Sequence, residues 1–471
     1  MKKKFIKLLG GLVLVLVLIV LVVPVGVGMM AEGRYKQVWQ DMLAAEPGFQ
    51  AEVTAFERGW FQSRAEVALS ITDATAAALL IDMGWAESAD GGERAVLRLQ
   101  EGVHHGPVPF TAPAPLWQRW RPGFAVIDSR LEENLPAIAE HGVDMSHTVH
   151  LGLTGRMSGH FRVAPFDMSL EDGLRVSNRD EVTAEWRSNR HFDRVDMRMR
   201  GGQLDVSGDD GVNMRFENPW MQVSQRRGPE DIWLGGSEFR LASLTVSQAG
   251  SPPGHMADLV WSTTAGESDG LIDQEHEISI ASLSVEDFEA GPAEMKLDFY
   301  RLDPGSLSAL QRAISNWSEP DPDAMMAGED VFEELRDPLV SLATYQPGVR
   351  IDRLHIALPG GNIDGEGFME LVEMNHSQVE RHLEEGRYAQ MLQAEARLGA
   401  GRDLARRALA YSLLGQLPEA DMEADLADLM DMQLNAAVAE GMLTETDDGF
   451  EVHLRLENGV FEVNGREILR F

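Results

Sequence analysis

The stretch RVDMRMR at residues 194–200 carries the pattern that decides the fold. Its apolar side chains, Val195, Met197 and Met199, alternate with charged ones. Because successive side chains of a β-strand point to opposite faces, this alternation predicts a strand with one buried face. Similar runs recur at residues 95–103, 148–162, 238–247, 277–285, 294–300, 349–358 and 451–463. The sequence therefore predicts antiparallel sheet with one apolar face.

Helical patterns interrupt the strands in the later part of the chain. Asp303 is placed to cap a helix that opens at Pro304. A second helix is expected from about Asp330, and Pro338 is expected to kink or end it. Further helices are predicted at residues 404–414 and 422–439, before a final hairpin that turns at residues 458–459. The predicted fold class is α+β, mainly β, with extended twisted antiparallel sheets and several packing helices in the C-terminal half.

The N-terminus reads as a membrane anchor. Residues 8–31 contain no charged side chain and follow a cluster of lysines, Lys2, Lys3, Lys4 and Lys7. About 20 apolar residues cross a bilayer as a helix, and lysines on the N-terminal side keep that end in the cytoplasm. We expect one transmembrane signal-anchor in residues 1–31 and an exported β-rich domain in residues 32–471, with a possible subdivision near 318–330. A cleaved signal peptide is the alternative.

Composition narrows the classes of partner and chemistry. The 471 residues are 44% hydrophobic, which is enough for a sizeable core. The 76 acidic against 41 basic residues give a formal charge of -35, which repels nucleic-acid phosphates. Cysteine is absent, which excludes disulfides, thiolate metal sites and cysteine nucleophiles. We therefore expect no nucleic-acid partner.

Four short signatures occur in a recognisable order: Arg58-Gly59-Trp60-Phe61-Gln62-Ser63, His105-Gly106-Pro107, Gly291-Pro292-Ala293, and the closing stretch that ends in Asn464-Gly465. Together they resemble the YdgA family of bacterial inner-membrane-anchored proteins of unknown function. The resemblance implies a periplasmic domain tethered to the inner membrane, and it supplies no catalytic residues. In style the chain is also similar to AsmA-like envelope proteins, whose long sheets are thought to shelter lipid.

The candidate chemical residues favour structural roles. His147 and His150, near His141 and His160, suggest zinc, but residues three apart on a strand face opposite ways. The adjacent His104 and His105 are expected to face opposite ways for the same reason. The motif at residues 58–61 suits a bulge whose aromatic rings pack on the core. We expect no metal, no cofactor and no catalytic site.

Two functions remain open from the sequence. The first is a non-enzymatic envelope protein that binds or shuttles lipid or another apolar ligand near the inner membrane. The alternative is a structural or assembly factor that acts through homo-oligomerisation or protein partners at exposed sheet edges. The observation that separates them is whether the sheet encloses a packed core or leaves an apolar trough open.

Overall fold

A computed structural model describes residues 32–33, 35–37, 39, 49–59, 62–72, 77, 81, 86–89, 94–105, 112, 123–130, 143–169, 173–208, 211–317, 329–414 and 424–471. The predicted signal-anchor in residues 1–31 lies outside this range, as does the stretch at 318–328. Among the described helices, none has the length and apolar character that a membrane crossing requires. The chain divides into two compact units, and between residues 210 and 227 it passes from the first unit to the second, back to the first, and finally to the second again.

Unit 1 comprises residues 1–210 and 218–226. Its strands are β1 (Phe49–Glu57), β2 (Gln62–Ile71), β3 (Glu87–Ala89), β4 (Arg94–His105), β5 (Gly123–Arg130), β6 (Met145–Gly152), β7 (Met157–Val163), β8 (Phe166–Ser169), β9 (Arg175–Asn178), β10 (Val182–Ser188), β11 (Arg194–Arg200), β12 (Gln203–Ser207) and β14 (Trp220–Arg227). The main run of neighbours is β1-β2-β4-β5-β6-β7-β10-β11-β14, all antiparallel. The deciding stretch at 194–200 is β11, which confirms its prediction.

Unit 2 comprises residues 211–217 and 227–471. Its strands are β13 (Val212–Glu217), β15 (Trp233–Gln248), β16 (Gly254–Ser268), β17 (Leu271–Ile280), β18 (Ser282–Val285), β19 (Phe288–Ala290), β20 (Ala293–Leu302), β21 (Gly348–Leu358), β22 (Gly361–Leu371), β23 (Leu392–Gly401), β24 (Thr444–Glu445), β25 (Gly449–Glu457), β26 (Val460–Val463) and β27 (Arg466–Arg470). They form an antiparallel run in the order β13-β15-β16-β17-β20-β21-β22-β23-β25-β26-β27. The hairpin of β25 and β26 turns at Asn458 and Gly459, whose positive φ values of 53° and 74° confirm the predicted turn, and one more strand, β27, follows it.

Five α-helices are described in unit 2: α1 (Pro304–Trp317), α2 (Glu329–Ala343), α3 (His376–Glu384), α4 (Arg402–Leu414) and α5 (Ala424–Ala439). The predicted cap of α1 is confirmed, since the Ser306 amide donates to Asp303 Oδ2 at 2.7 Å. The helix α3 is missing from the sequence prediction, although Asn375 and Gln378 form a reciprocal capping box at its start.

The expectation that Pro338 ends its helix is wrong, because α2 continues through it to Ala343. The alternative, that Pro338 kinks the helix, stays a prediction. Proline in a helix interior costs about 3 kcal/mol. Beyond it, Val340 and Ala343 are buried in one cluster with Val379 and Met391. The burial of this last turn offsets the unfavourable free energy of the proline.

Candidate functional site

The first signature forms the corner between β1 and β2. Arg58 Nε contacts Glu32 Oε2 at 2.5 Å, which ties the corner to the helical residues that follow the predicted anchor. This ion pair lowers the pKa of Glu32. A Cβ on Gly59 would lie 2.0 Å from the backbone oxygen of Gln62, so only glycine fits. Trp60 and Phe61, predicted to pack on the core, lie outside the described residues.

Two signatures that are far apart in sequence meet in unit 1. Ser63 Oγ lies 3.0 Å from His105 Nε2, and both side chains are buried. The Gly59 amide also donates to Ser63 Oγ, at 3.4 Å. The first signature is thereby fastened to the end of β4, and the burial of both partners favours a structural role. Gly106 and Pro107 lie outside the described residues.

Glu101, a buried carboxyl group that the sequence analysis missed, lies on the same face of β4 as His105. Glu101 is 5% exposed; Tyr35 donates to its Oε2, and Ser129 Oγ donates to its Oε1 at 2.5 Å. Tyr35 is fully buried and its ring lies 5.8 Å from that of Phe56. Burial raises the pKa of Glu101, and the hydrogen bonds from Ser129 and Tyr35 oppose this shift. The cluster joins the helical residues around Tyr35 to the sheet.

The raised pKa of Glu101 predicts a pH-dependent stability of unit 1. Below the ordinary carboxyl pKa, Glu101 is protonated in both the folded and the unfolded state. As the pH rises, Glu101 ionises first in the unfolded state, because its pKa is lower there. The free energy of unfolding therefore falls with pH until the pH passes the pKa of the folded state. Glu101→Gln keeps the group neutral and should remove this loss. We expect the difference in melting temperature, variant minus wild type, to increase between pH 5 and pH 8. Parallel curves would instead mean that Glu101 is ionised in the folded state.

The described histidines of β6 and β4 follow the predicted strand geometry. His147 Nε2 accepts from the indole of Trp186 at 3.3 Å on one face of β6, whereas His150 pairs in register with Val126 and points to the other face. Burial lowers the pKa of His147, and that of His104, to about 4 in each case. Among the residues that the structure describes, no group of three His, Asp or Glu is placed to hold a metal ion. His141 lies outside them.

The two later signatures form backbone corners. Gly291 has a φ of 116° and its amide donates to Ala357 O at 2.7 Å, while Pro292 O accepts from the Ala357 amide at 3.0 Å. Asn464 and Gly465 have φ values of 48° and 77° in the turn between β26 and β27. The Asn464 side chain accepts from the His453 amide at 2.8 Å. Both signatures therefore form turns between consecutive strands.

One face of the unit 2 sheet carries three parallel rows of apolar residues, and we call it the groove face. Residues paired directly across antiparallel strands share a face, so the register identifies each row. From β20 to β25 the central row is Leu297, Ile351, Gly367, Ala396 and Leu454. The flanking rows are Phe299, Val349, Met369, Ala394 and Leu456, and Met295, Leu354, Gly365, Leu398 and Val452. None of these side chains is charged.

Most of these residues line an open groove of about 420 Å³. That volume is within the range of small-molecule sites, about 300–1,000 Å³. The floor is made of small residues: a Cβ on Gly367 would lie 2.7 Å from the backbone oxygen of Glu395, so glycine allows β22 and β23 to approach there. Met369 and Leu398 remain 45% and 40% exposed, so no described element covers them.

The opposite face of the same strands is ionic. Lys296 contacts Glu275 at 3.2 Å and Asp352 at 3.8 Å. Nearer β25, Arg397 contacts Glu451 at 3.3 Å and His453 contacts Glu395 at 2.8 Å. Exposed pairs of this kind contribute only about 0–1 kcal/mol each, so they mark the water-facing side more than they stabilise it. The strands are therefore amphipathic, with a polar ionic face and an apolar groove face.

Comparison with known proteins adds one finding. A family profile described as "Bacterial protein of unknown function (DUF945)" matches residues 1–469. The search of curated proteins and the search of solved structures each returned no match.

Proposed function

Because the chain belongs to this DUF945 family of bacterial proteins of unknown function, its role has to be inferred from its own geometry, and we propose that it is a non-enzymatic envelope protein whose groove binds a lipid tail. The observation that carries the proposal is the apolar groove on the groove face, which no described part of the chain covers. Water against such a face is unfavourable, and each methylene that a ligand buries there contributes about 0.8 kcal/mol. A lipid tail supplies methylenes without polar groups that would need partners.

The sequence supports a location where such tails are available. The lysines and the apolar stretch of residues 1–31 favour an inner-membrane anchor with the β-rich part in the periplasm. The YdgA-like signatures and the AsmA-like style agree with that address. We propose that the protein takes its ligand from the membrane to which it is tethered.

A second candidate is the assembly role, in which protein covers the groove face. The observation that favours it is the edge strand β27, where Leu469 pairs with Phe461 on the groove face and is 49% exposed. Phe471, two residues on, is 60% exposed. Unpaired sheet edges are templates for another strand, so a second copy of the chain is the natural partner in this reading.

Photo-crosslinking in living bacteria tests the proposal. A photoreactive residue at Leu398 lies on the groove face, and the matched control at Arg397 lies on the ionic face of the same strand. We expect illumination to attach lipid at position 398 and not at position 397. Attachment of protein alone at position 398 would support the assembly role instead, and no adduct at position 398 would contradict both readings of the groove.

A further inference from the structure

The central apolar row continues beyond the groove into three polar residues. Leu297 pairs with His276, His276 with Thr263, and Thr263 with Ser237, so all lie on the groove face in one line across β20, β17, β16 and β15. Ser237 Oγ lies 2.7 Å from Thr263 Oγ1. The His276 ring meets the Phe299 ring edge-on at 5.6 Å between centroids. A polar patch, defined by Ser237, Thr263 and His276, thus adjoins one end of the apolar rows.

The length of the apolar part matches a single lipid tail. Neighbouring strands are about 4.8 Å apart, so the four steps from Leu297 on β20 to Leu454 on β25 span about 19 Å. The bilayer hydrocarbon is about 30 Å thick and holds two tails end to end, so one tail reaches about 15 Å. A tail whose end lies near Ala396 would extend three strands to Leu297, and its head would then lie over His276 on the next strand.

The chemistry of the polar patch indicates which head it accepts. Within the described rows from β15 to β25 the groove face carries no Asp, Glu, Lys or Arg, because the two outer rows continue as Gln274, Ala265 and Gly235, and as Ile278, Trp261 and Phe239. An anionic head would find no guanidinium or ammonium there, in a chain of formal charge -35. Hydroxyl groups and an imidazole both donate and accept hydrogen bonds. They suit a head that does the same without charge.

We propose that Ser237, Thr263 and His276 bind the uncharged, hydroxyl-bearing head of an acylglycerol whose tail fills the groove. This inference rests on the proposed function and adds the ligand class. One of the Ser237 and Thr263 hydroxyls donates to the oxygen of the other, which leaves the second hydroxyl proton and the remaining lone pairs for the glycerol. His276, in register beside them, offers a further ring nitrogen.

Direct binding to the full-length chain in detergent tests this assignment, with radiolabelled monooleoylglycerol and 1-octadecene as probes. Removing one neutral hydrogen bond weakens binding about three- to tenfold. The double variant Ser237→Ala, Thr263→Val should therefore bind monooleoylglycerol about ten- to a hundredfold more weakly than the wild type and bind octadecene equally well. The matched control is Ser262→Ala, Thr264→Val, which removes two hydroxyls from the opposite face of β16 and should change neither affinity.

The outcomes separate the two levels of the proposal. Equal binding of monooleoylglycerol by the wild type and the Ser237, Thr263 double variant would overturn the head assignment. So would tighter binding of the anionic oleoyl lysophosphatidic acid than of monooleoylglycerol, because the polar patch would then favour charge. If octadecene and monooleoylglycerol both fail to bind the wild type, the groove itself is not a lipid site and the proposed function fails with it.

Discussion

Tyr35→Ala is expected to lower the free energy of unfolding of unit 1 by about 3–5 kcal/mol, which is the usual cost of truncating a buried aromatic side chain. Tyr35 is fully buried, packs against Phe56, and donates to the buried carboxyl group of Glu101. Its removal leaves a cavity and takes a hydrogen-bond donor from Glu101. Amide hydrogen exchange followed by mass spectrometry should show faster exchange in β2 and β4.

The control for that prediction is Tyr35→Phe, which keeps the ring and removes only the hydroxyl. We expect it to cost about 1–3 kcal/mol, because one oxygen of Glu101 then lacks its donor. Exchange in β22 of unit 2 should be unchanged in both variants, since Tyr35 belongs to unit 1. If exchange in β2 and β4 is unchanged in Tyr35→Ala, the helical residues around Tyr35 do not stabilise the sheet, and the structural role of the Tyr35–Glu101 contact is contradicted.

Local sequence pattern predicts the strands and most of the helices, but it does not predict which strands pair. Alternation at 194–200 predicts β11, and Asp303-Pro304 predicts the start of α1, because both signals act within a few residues. Local alternation also indicates β-rich runs at 148–162 and 277–285 but not where they are interrupted, and each consists of two strands. The first break is a turn at residues 153–155, where Gly155 has a φ of 80°.

The candidate sites depend on register, which one sequence does not contain. Ser63 and His105 belong to separate signatures, and only the pairing of β2 with β4 brings them together. Glu101 reads as one more exposed acid in an acidic chain until β4 places it opposite Ser129. The groove had a faint signal in its small residues, the pair Gly365 and Gly367 and the run from Ala394 to Ala396. Which strands face each other decides that these residues form one floor.

Filling the groove is expected to have the largest effect on function. Ala396 lies at the centre of the groove floor, in register with Gly367 and Leu454. An indole there would exclude about four methylenes of a bound tail, which removes about 3 kcal/mol of burial and more than a hundredfold in affinity. Ala396→Trp should therefore lose bound lipid, and the milder Ala394→Leu should lose part of it.

Arg397→Trp is the matched control, because it places the same ring on the ionic face of the same strand. It breaks contacts of Arg397 with the exposed Glu366 and the half-buried Glu451, and should cost about 1 kcal/mol of stability. Exchange in β22 and β23 should match the wild type in this variant. Comparing the two tryptophan variants separates the effect of filling the groove from the effect that a large side chain in β23 has on stability.

Native mass spectrometry of the full-length chain, released from detergent micelles, tests the groove most directly. For the wild type and for Arg397→Trp we expect a population heavier than the polypeptide by the mass of a lipid, and for Ala396→Trp we expect that population to disappear. A wild-type chain that carries no lipid, or an Ala396→Trp chain that carries as much as Arg397→Trp, would contradict a lipid-binding groove.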